Sequence, residues 1–507
     1  MSSLRGAFAV AAAALLLQAP CVAQVMSHPR DLGALDAVTS GIIKLPITTN
    51  STDARNHFLM GQRELDLGRV FDANAHFKAA VAADSNFAIA YLNVANTGNS
   101  LAEFRTNLEL AERHVAGASN AERLQIQIAR KGLDNDVNGQ LVLAQQLVAK
   151  YPNSPRAYLV LASVQTALNR NVAARVSMMK AVRLAPRLLV AQTDLGNSYL
   201  FGEPKDFAKS LQHMQRAEAL APDEPSMHDL LGDVYRAQNN LDQARAEYTR
   251  GHELNPADAS LLQQRGHVNS FAGNYAAARA DYDSAIAVGR GNEKAAYVPF
   301  RAYVNIHAGD PKAAIAELNR LVAEVDAMGV PGALAVKIGA LSDVAVIAIH
   351  TSDFATADQA LKLRTPLLLQ QAAASGSAAF QRGAESNIAY FDGWLAARKG
   401  DYTAAGHAAD RVAALVAQDR NPRKLEPVHE LKGYIALYQR NFREAAAQFA
   451  LGNLVDSYIK YQYAVALQGA GEKTKGSQLM RELATYNFNN VGYALIRKDA
   501  QQQVLAS

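Results

Sequence analysis

One pattern recurs along this chain at a fixed spacing, and it limits the fold more than any other feature. Met227-His-Asp-Leu-Leu-Gly-Asp-Val-Tyr235 is followed by Ala244, Tyr248, Gly251 and Pro256, and the same order of residue types returns about every 34 residues. Upstream it is carried by Tyr158, Leu161, Ala162, Ala174, Met178, Ala181 and Pro186, then by Gln192, Leu195, Gly196, Tyr199, Met214, Ala217 and Pro222, with two extra residues around Gly202-Glu203-Pro204. Downstream come Leu262, Gly266, Ala278, Tyr282 and Ala285; near the start, His57, Met60, Gly61, Ala73, Phe77 and Ala80. A repeat this short holds two helices whose apolar side only the next repeat can cover, so the units must stack.

Each residue type has a physical role in such a stack. The small residue at the eighth place lets two antiparallel helices approach closely, the aromatic of the second helix fills the gap to the next hairpin, and Pro stops that helix and sets the turn. With 507 residues the chain exceeds one compact core, and 49% hydrophobic against 19% charged residues is the balance of a folded protein. Abundant alanine and only 16 Pro favour helix throughout.

In these residues and spacings the chain resembles the tetratricopeptide-repeat (TPR) family. The resemblance implies an all-α fold, a right-handed superhelical solenoid of about twelve antiparallel helix hairpins. It is close over 54–290 and looser over 291–490, where Gly309-Asp310-Pro311 with Ala314, Asp353-Phe354 with Ala357, Gly400-Asp401-Tyr402 with Ala405, and Asn441-Phe442 with Ala445 and Phe449 still resemble the mid-repeat turn and second helix. Longer helices or loops account for the stretched spacing; the segment from Gln370 to Ser377 reads as a helix extension broken at Gly376. Residues 491–507 are expected to form a capping helix. The closing Tyr486-Asn-Phe-Asn-Asn with Tyr493-Ala-Leu-Ile-Arg-Lys is similar to the ends of exported bacterial TPR proteins without an assigned reaction.

Ahead of the repeats, Arg5 and the apolar run from Ala7 to Leu17 have the form of a secretory signal peptide, 1–23, with cleavage after Ala23 and Gln24 as the mature start. Residues 24–53 read as an extended or poorly ordered segment. Export to the periplasm or beyond is the expectation. Pro20 before Cys21 is a poor lipobox, and cleavage after Ala23 removes the chain's single cysteine, and with it disulfides, thiol nucleophiles and thiolate metal sites. The excess of four positive charges is spread along the chain, no basic run suggests nucleic acid, and no second apolar stretch reads as a membrane helix.

Patterns that would carry catalysis fail their own context. Gly471-Glu-Lys473-Thr474 has Glu472 where a phosphate-binding loop needs Gly and follows no strand. Ser177 and Lys180 have the spacing of an acylating pair but lie on a second helix without companion motifs, and His429-Glu430 lacks the second ligand because Gly433 stands there. His213, His228, His252 and His267 do not converge in the repeat register, so no metal or cofactor is expected. The chain reads as a non-enzymatic adaptor or scaffold for a protein or peptide partner.

The resemblance places that partner on the concave face lined by first helices, at places two, five, nine and twelve of each repeat. Those places give Thr193 and Asn197; Asp229, Asp233 and Arg236; Gln263, His267 and Ser270; then Tyr303, Tyr390, Trp394 and Tyr434, with Tyr438 and Tyr461 beyond. Aromatic and polar side chains on one strip suit an extended peptide. An alternative is an enzyme-associated module, or one taking a glycan or small molecule through Tyr390, Trp394 and Tyr434. The acidic chaperone tail bound by some family members is excluded, because Leu159, Ser163, Thr193, Asn197, Asp229 and Asp233 stand where its cationic clamp would be.

Overall fold

The computed structural model describes residues 45–506 apart from 99 and 420, and every regular element among them is a helix. The leader at 1–23 and most of the segment at 24–53 lie outside the described residues. The chain divides into two compact units, one running to Val234 with Glu253–Asn255, the other holding Tyr235–His252 and Pro256–Ser507.

In the first unit five hairpins follow one another: α1 (Thr52–Asp66) with α2 (Val70–Ala83), α3 (Ala88–Thr97) with α4 (Leu101–Arg113), α5 (Asn120–Leu133) with α6 (Val137–Lys150), α7 (Pro155–Ala167) with α8 (Asn171–Leu184), and α9 (Leu189–Phe201) with α10 (Phe207–Leu220). The start of α11 (Pro225–Ala237) completes it. The second unit takes up α12 (Leu241–Leu254) and continues with α13 (Ala259–Phe271) and α14 (Tyr275–Val288), the short α15 (Glu293–Ala296), α16 (Val298–Ala308) and α17 (Pro311–Glu324), and α18 (Ala333–His350) and α19 (Phe354–Ala374). It ends with α20 (Ala378–Lys399) and α21 (Tyr402–Val416), α22 (Glu426–Tyr438) and α23 (Phe442–Phe449), α24 (Ser457–Gly469) and α25 (Lys473–Ala484), and α26 (Val491–Leu505). The loosening after 290 is the insertion of α15 and the lengthening of α18, α19 and α20, while the compact division falls earlier, at 234–235.

A single turn design runs through both units. Gly68, Asn135, Asn169, Asn239, Gly273, Gly309, Ser352, Gly400, Arg440 and Gly471 all have positive φ just after a first helix. The next residue in each case donates its N–H to the carbonyl five residues back, at 2.7–2.9 Å, as Asp136 to Lys131 and Asp401 to Ala396, closing the helix in a Schellman motif. Where that next residue is Asp it also caps the second helix: Asp136, Asp310, Asp353 and Asp401 accept the N–H of Gly139, Ala313, Thr356 and Ala404. The Gly-Asp and Ser-Asp pairs of the looser stretch are therefore helix stop and helix start in two residues.

Packing within hairpins recurs along the chain in the same way. A methyl group on Gly61, Gly266 or Gly433 would lie 2.6–2.8 Å from the ring of Phe77, Tyr282 or Phe449, in each case sixteen residues on. Only glycine lets the first helix rest on that ring. Tyr248, fully buried, packs with Ala244, Leu261 and Val268, the role its place in the repeat predicts.

Each unit is drawn together by contacts across several repeats. In the first, Arg156 of α7 grips Asp66 of α1 with two bonds of 3.1 and 2.7 Å, Arg69 pairs with Glu224, and Ser226 Oγ donates to the Leu67 carbonyl at 2.9 Å. In the second, α26 lies against α16, α18 and α24 as well as its neighbour α25. The sequence offered no second apolar stretch for a membrane, yet α18 is long and apolar enough to cross one. Its Leu341, Val344 and Ile347–Ile349 are buried in the same cluster as Ile496 of α26, which makes it a core helix of the array.

Candidate functional site

The first-helix face differs in kind between the two units. In the first unit the residue after the small eighth-place residue is Asn96 on α3, Ser163 on α7 and Asn197 on α9. Asn96 Oδ1, Ser163 Oγ and Asn197 Oδ1 are enclosed, and no hydrogen-bond partner reaches them among the described residues. Such an atom costs about 1–3 kcal/mol unless a donor reaches it. Between them in the register, Arg130 of α5 is taken by Glu112 of α4. Thr193 is buried with its hydroxyl on the Val190 carbonyl at 3.2 Å, Asp229 is half-buried, and Asp233 is 1% exposed.

Beside this row sits a charged trio that the repeat register did not single out. Asp194 of α9 lies near the Arg156–Asp66 pair, and burial, reinforced by Asp66 and only partly offset by Arg156, pushes its carboxyl up to about 8. Its sequence neighbours Thr193 and Asn197 were the nominated residues; Asp194 and Asp66 become one cluster only because the winding brings α1 to α7 and α9.

In the second unit the nominated face is occupied by the chain's own C-terminal segment. Asn487, wholly buried, donates from Nδ2 to the Arg236 carbonyl (3.2 Å) and to Asn239 Oδ1 (2.8 Å), and its own N–H donates to the Tyr493 hydroxyl at 3.0 Å. Phe488 lies under the Arg236 guanidinium, 4.7 Å from ring centre to charge. Asn489 joins two histidines, Nδ2 toward His267 Nδ1 at 3.1 Å and Oδ1 toward His307 Nε2 at 3.2 Å. Arg497 of α26 donates to the Phe271 carbonyl and covers the Phe271 ring.

Of the expected strip, Arg236, Gln263, His267, Ser270, Tyr303, Trp394 and Tyr434 are buried in the chain itself, and Tyr390 is half-buried. Arg236 also binds Gln264 (2.8 Å), Gln263 lies 2.6 Å from His267 Nε2, Ser270 Oγ donates to the Gly266 carbonyl, and the Tyr303 hydroxyl donates to Asp343 Oδ2 at 2.6 Å. Burial holds His267 well below the usual imidazole range and His307 down to about 4, so both are neutral near pH 7. Trp394 is 3% and Tyr434 1% exposed; their rings stack on each other at 5.2 Å, with Tyr458 and Phe449 at their edges. Tyr390 packs on this cluster next to Glu430, whose carboxyl burial raises to about 7. Tyr461 keeps an outward role, its hydroxyl 3.5 Å from Asp499 of α26.

The aromatics thus pack within the longer hairpins, and among the polar residues Arg236 and His267 are partners of the tail. Asn487, Phe488 and Asn489 were visible in the sequence as a recurring family ending. Their polar and aromatic alternation was the available sign that they could be a bound segment themselves. Asn96 stands at the same place in its repeat as Asn197 and could have been named by that register alone.

A family model described as tetratricopeptide repeat matches residues 199–259 and 265–328. No curated protein gives a significant match. Among solved structures the chain is similar to MamA, at 21% identity over 32% of this chain and 92% of that one, with a TM-score of 0.28. It is similar to a thermophilic TPR protein of Thermus thermophilus (23% identity, 42% and 98% covered, TM-score 0.28) and to a tetratricopeptide-repeat protein of Parabacteroides merdae (13%, 53% and 92%, 0.34). The family match lies in a phase that Gly61 and Phe77 begin and Gly433 and Phe449 still keep, so the described residues form an all-helical array of tetratricopeptide-like hairpins.

Proposed function

We propose that the protein is a non-enzymatic adaptor or scaffold of the cell envelope, and that it takes an extended protein or peptide segment on the first-helix face of its first unit. The observation that carries this reading is the row Asn96, Ser163 and Asn197, polar oxygens without partners at one repeat place, where the second unit has His267 already engaged by Asn489. Rotation of an Asn amide exchanges its oxygen and nitrogen at little steric cost, so the row can offer either to a partner's backbone. Thr193 and Asp229 stand beside Asn197 in the repeat register. A glycan-binding strip at Tyr390, Trp394 and Tyr434 is disfavoured, because the Trp394 and Tyr434 rings are buried and stacked on each other.

Quantitative affinity purification from the envelope fraction tests the binding face. The chain with Asn96→Ala and Asn197→Ala should lose the proteins that the unaltered chain captures, while Tyr461→Ala keeps them; the reverse pattern overturns the assignment. Envelope location rests on Arg5, the apolar run and Ala23. Amino-terminal sequencing should find Gln24 at or near the start, and a protein beginning at Met1 in the cytoplasm overturns it.

A further inference from the structure

The repeat register gave the twelve histidines no shared site, but α1 and α2 bring two of them face to face. His57 Nδ1 lies 3.3 Å from His76 Nδ1, with ring centres 5.6 Å apart and planes tilted by 33°. Two nitrogens held at 2.0–2.1 Å by one tetrahedral ion are separated by about 3.3–3.4 Å.

The surroundings favour a cation. Asp53, four residues before His57, places Oδ1 3.8 Å from His57 Nε2, beyond hydrogen-bond reach but adding negative charge beside the ring. Asp72 stands four residues before His76, and the fields of Asp72 and Glu64 both reach that ring. Both rings are half-exposed, which lets an ion enter from solvent and keep water at its remaining positions.

We propose that the first hairpin carries a two-histidine binding site, His57 and His76 through their Nδ1 atoms, for a divalent first-row transition ion of the Zn2+ type. Imidazole suits such ions, and water completes the coordination. The site is separate from the partner face and clips α1 to α2 at the start of the array.

Isothermal titration of the purified chain with Zn2+, from about pH 7.5 where imidazole is unprotonated, tests this. One saturable ion per chain is expected, together with at least a roughly tenfold weakening in His57→Ala and in His76→Ala, as for loss of a ligand. The exposed His407→Ala on α21 should bind as the unaltered chain does. Co2+ in place of Zn2+ should give the visible absorption of a low-coordinate site, lost in the same two variants. Circular dichroism checks that both variants keep their helix content. No binding by the unaltered chain, an unchanged isotherm in the two variants, or weakening in only one of them overturns the proposal.

Discussion

The first unit leaves polar atoms on its first-helix face without protein partners, whereas the second covers the same face with its own final residues. Both are made with the same turn, the same glycine-on-ring contact and the same alternation of helices. The difference lies in what supplies the last layer. A repeat array has an inner surface as well as two ends to satisfy, and here the segment that caps one end also doubles back over the surface. A strip of side chains at binding places can therefore be a site in one stretch and a core in another.

The comparison breaks most visibly at Tyr493, which is fully buried, accepts the N–H of Asn487 and meets the rings of Phe271 and Tyr486. Tyr493→Ala should cost about 3–5 kcal/mol and raise hydrogen exchange over α13, α16 and α26, while α1–α8 keep their protection. Equal loss of protection over the first unit would show that the tail supports the array as a whole.

Glycine contacts sharpen the side of the comparison that both units share. Gly61→Ala and Gly433→Ala each force a methyl group into a buried ring, so each should destabilise by about 1–3 kcal/mol. Denaturant melts that gave a large loss for Gly61 and none for Gly433 would mean that the looser repeats are not packed as the regular ones are.

A smaller effect follows from His267 and His307 around Asn489. Both are depressed by burial, His307 to about 4 from an ordinary value of 6.5. A released tail would let His307 protonate as pH falls through 6.5, whereas docked it binds that proton only near 4, so docking is favoured fully above 6.5 and weakens between 6.5 and 4 by about 1 kcal/mol per pH unit, with His267 acting in the same direction. Asp343 and Glu430, raised to about 7 by burial, act in the opposite direction on the unit as a whole. The test is therefore local: amide exchange at 487–490 should accelerate between pH 7 and 5 relative to that of α20 and α21, and a uniform change along the unit would count against it.

The smallest effect is expected in the first unit. Asn96→Ala with Asn197→Ala removes enclosed atoms that bond to nothing in the chain, so the melting temperature should not fall and should rise if the cost of those atoms is relieved. A large loss would place the row in the core, like its counterpart at His267, and erase the contrast.

Much of the fold was legible because helix hairpins are specified locally. The Gly-Asp pairs at 309–310 and 400–401, the sixteen-residue step from Gly to ring and the breaker at Gly376 each act over a few turns of chain. The limits of the site were not legible by the same means. Trp394 and Tyr434 look like an aromatic strip when counted by repeat place, but their mutual stacking depends on how far α20 and α22 extend. His57 and His76 are separated by nineteen positions on opposite helices, and only the hairpin's register sets their nitrogens face to face.

By itself, then, the sequence determined the unit of structure: period, turn, closest approach and the all-helical stack, all of which follow from short-range sterics and the burial of an apolar stripe. Tertiary structure alone decided which polar groups of the first helices find a partner in the chain and which do not. The long step from Asn487 to Arg236 joins residues remote in the chain, and its stability comes from satisfying buried polar groups at both ends, a condition that no local spacing encodes.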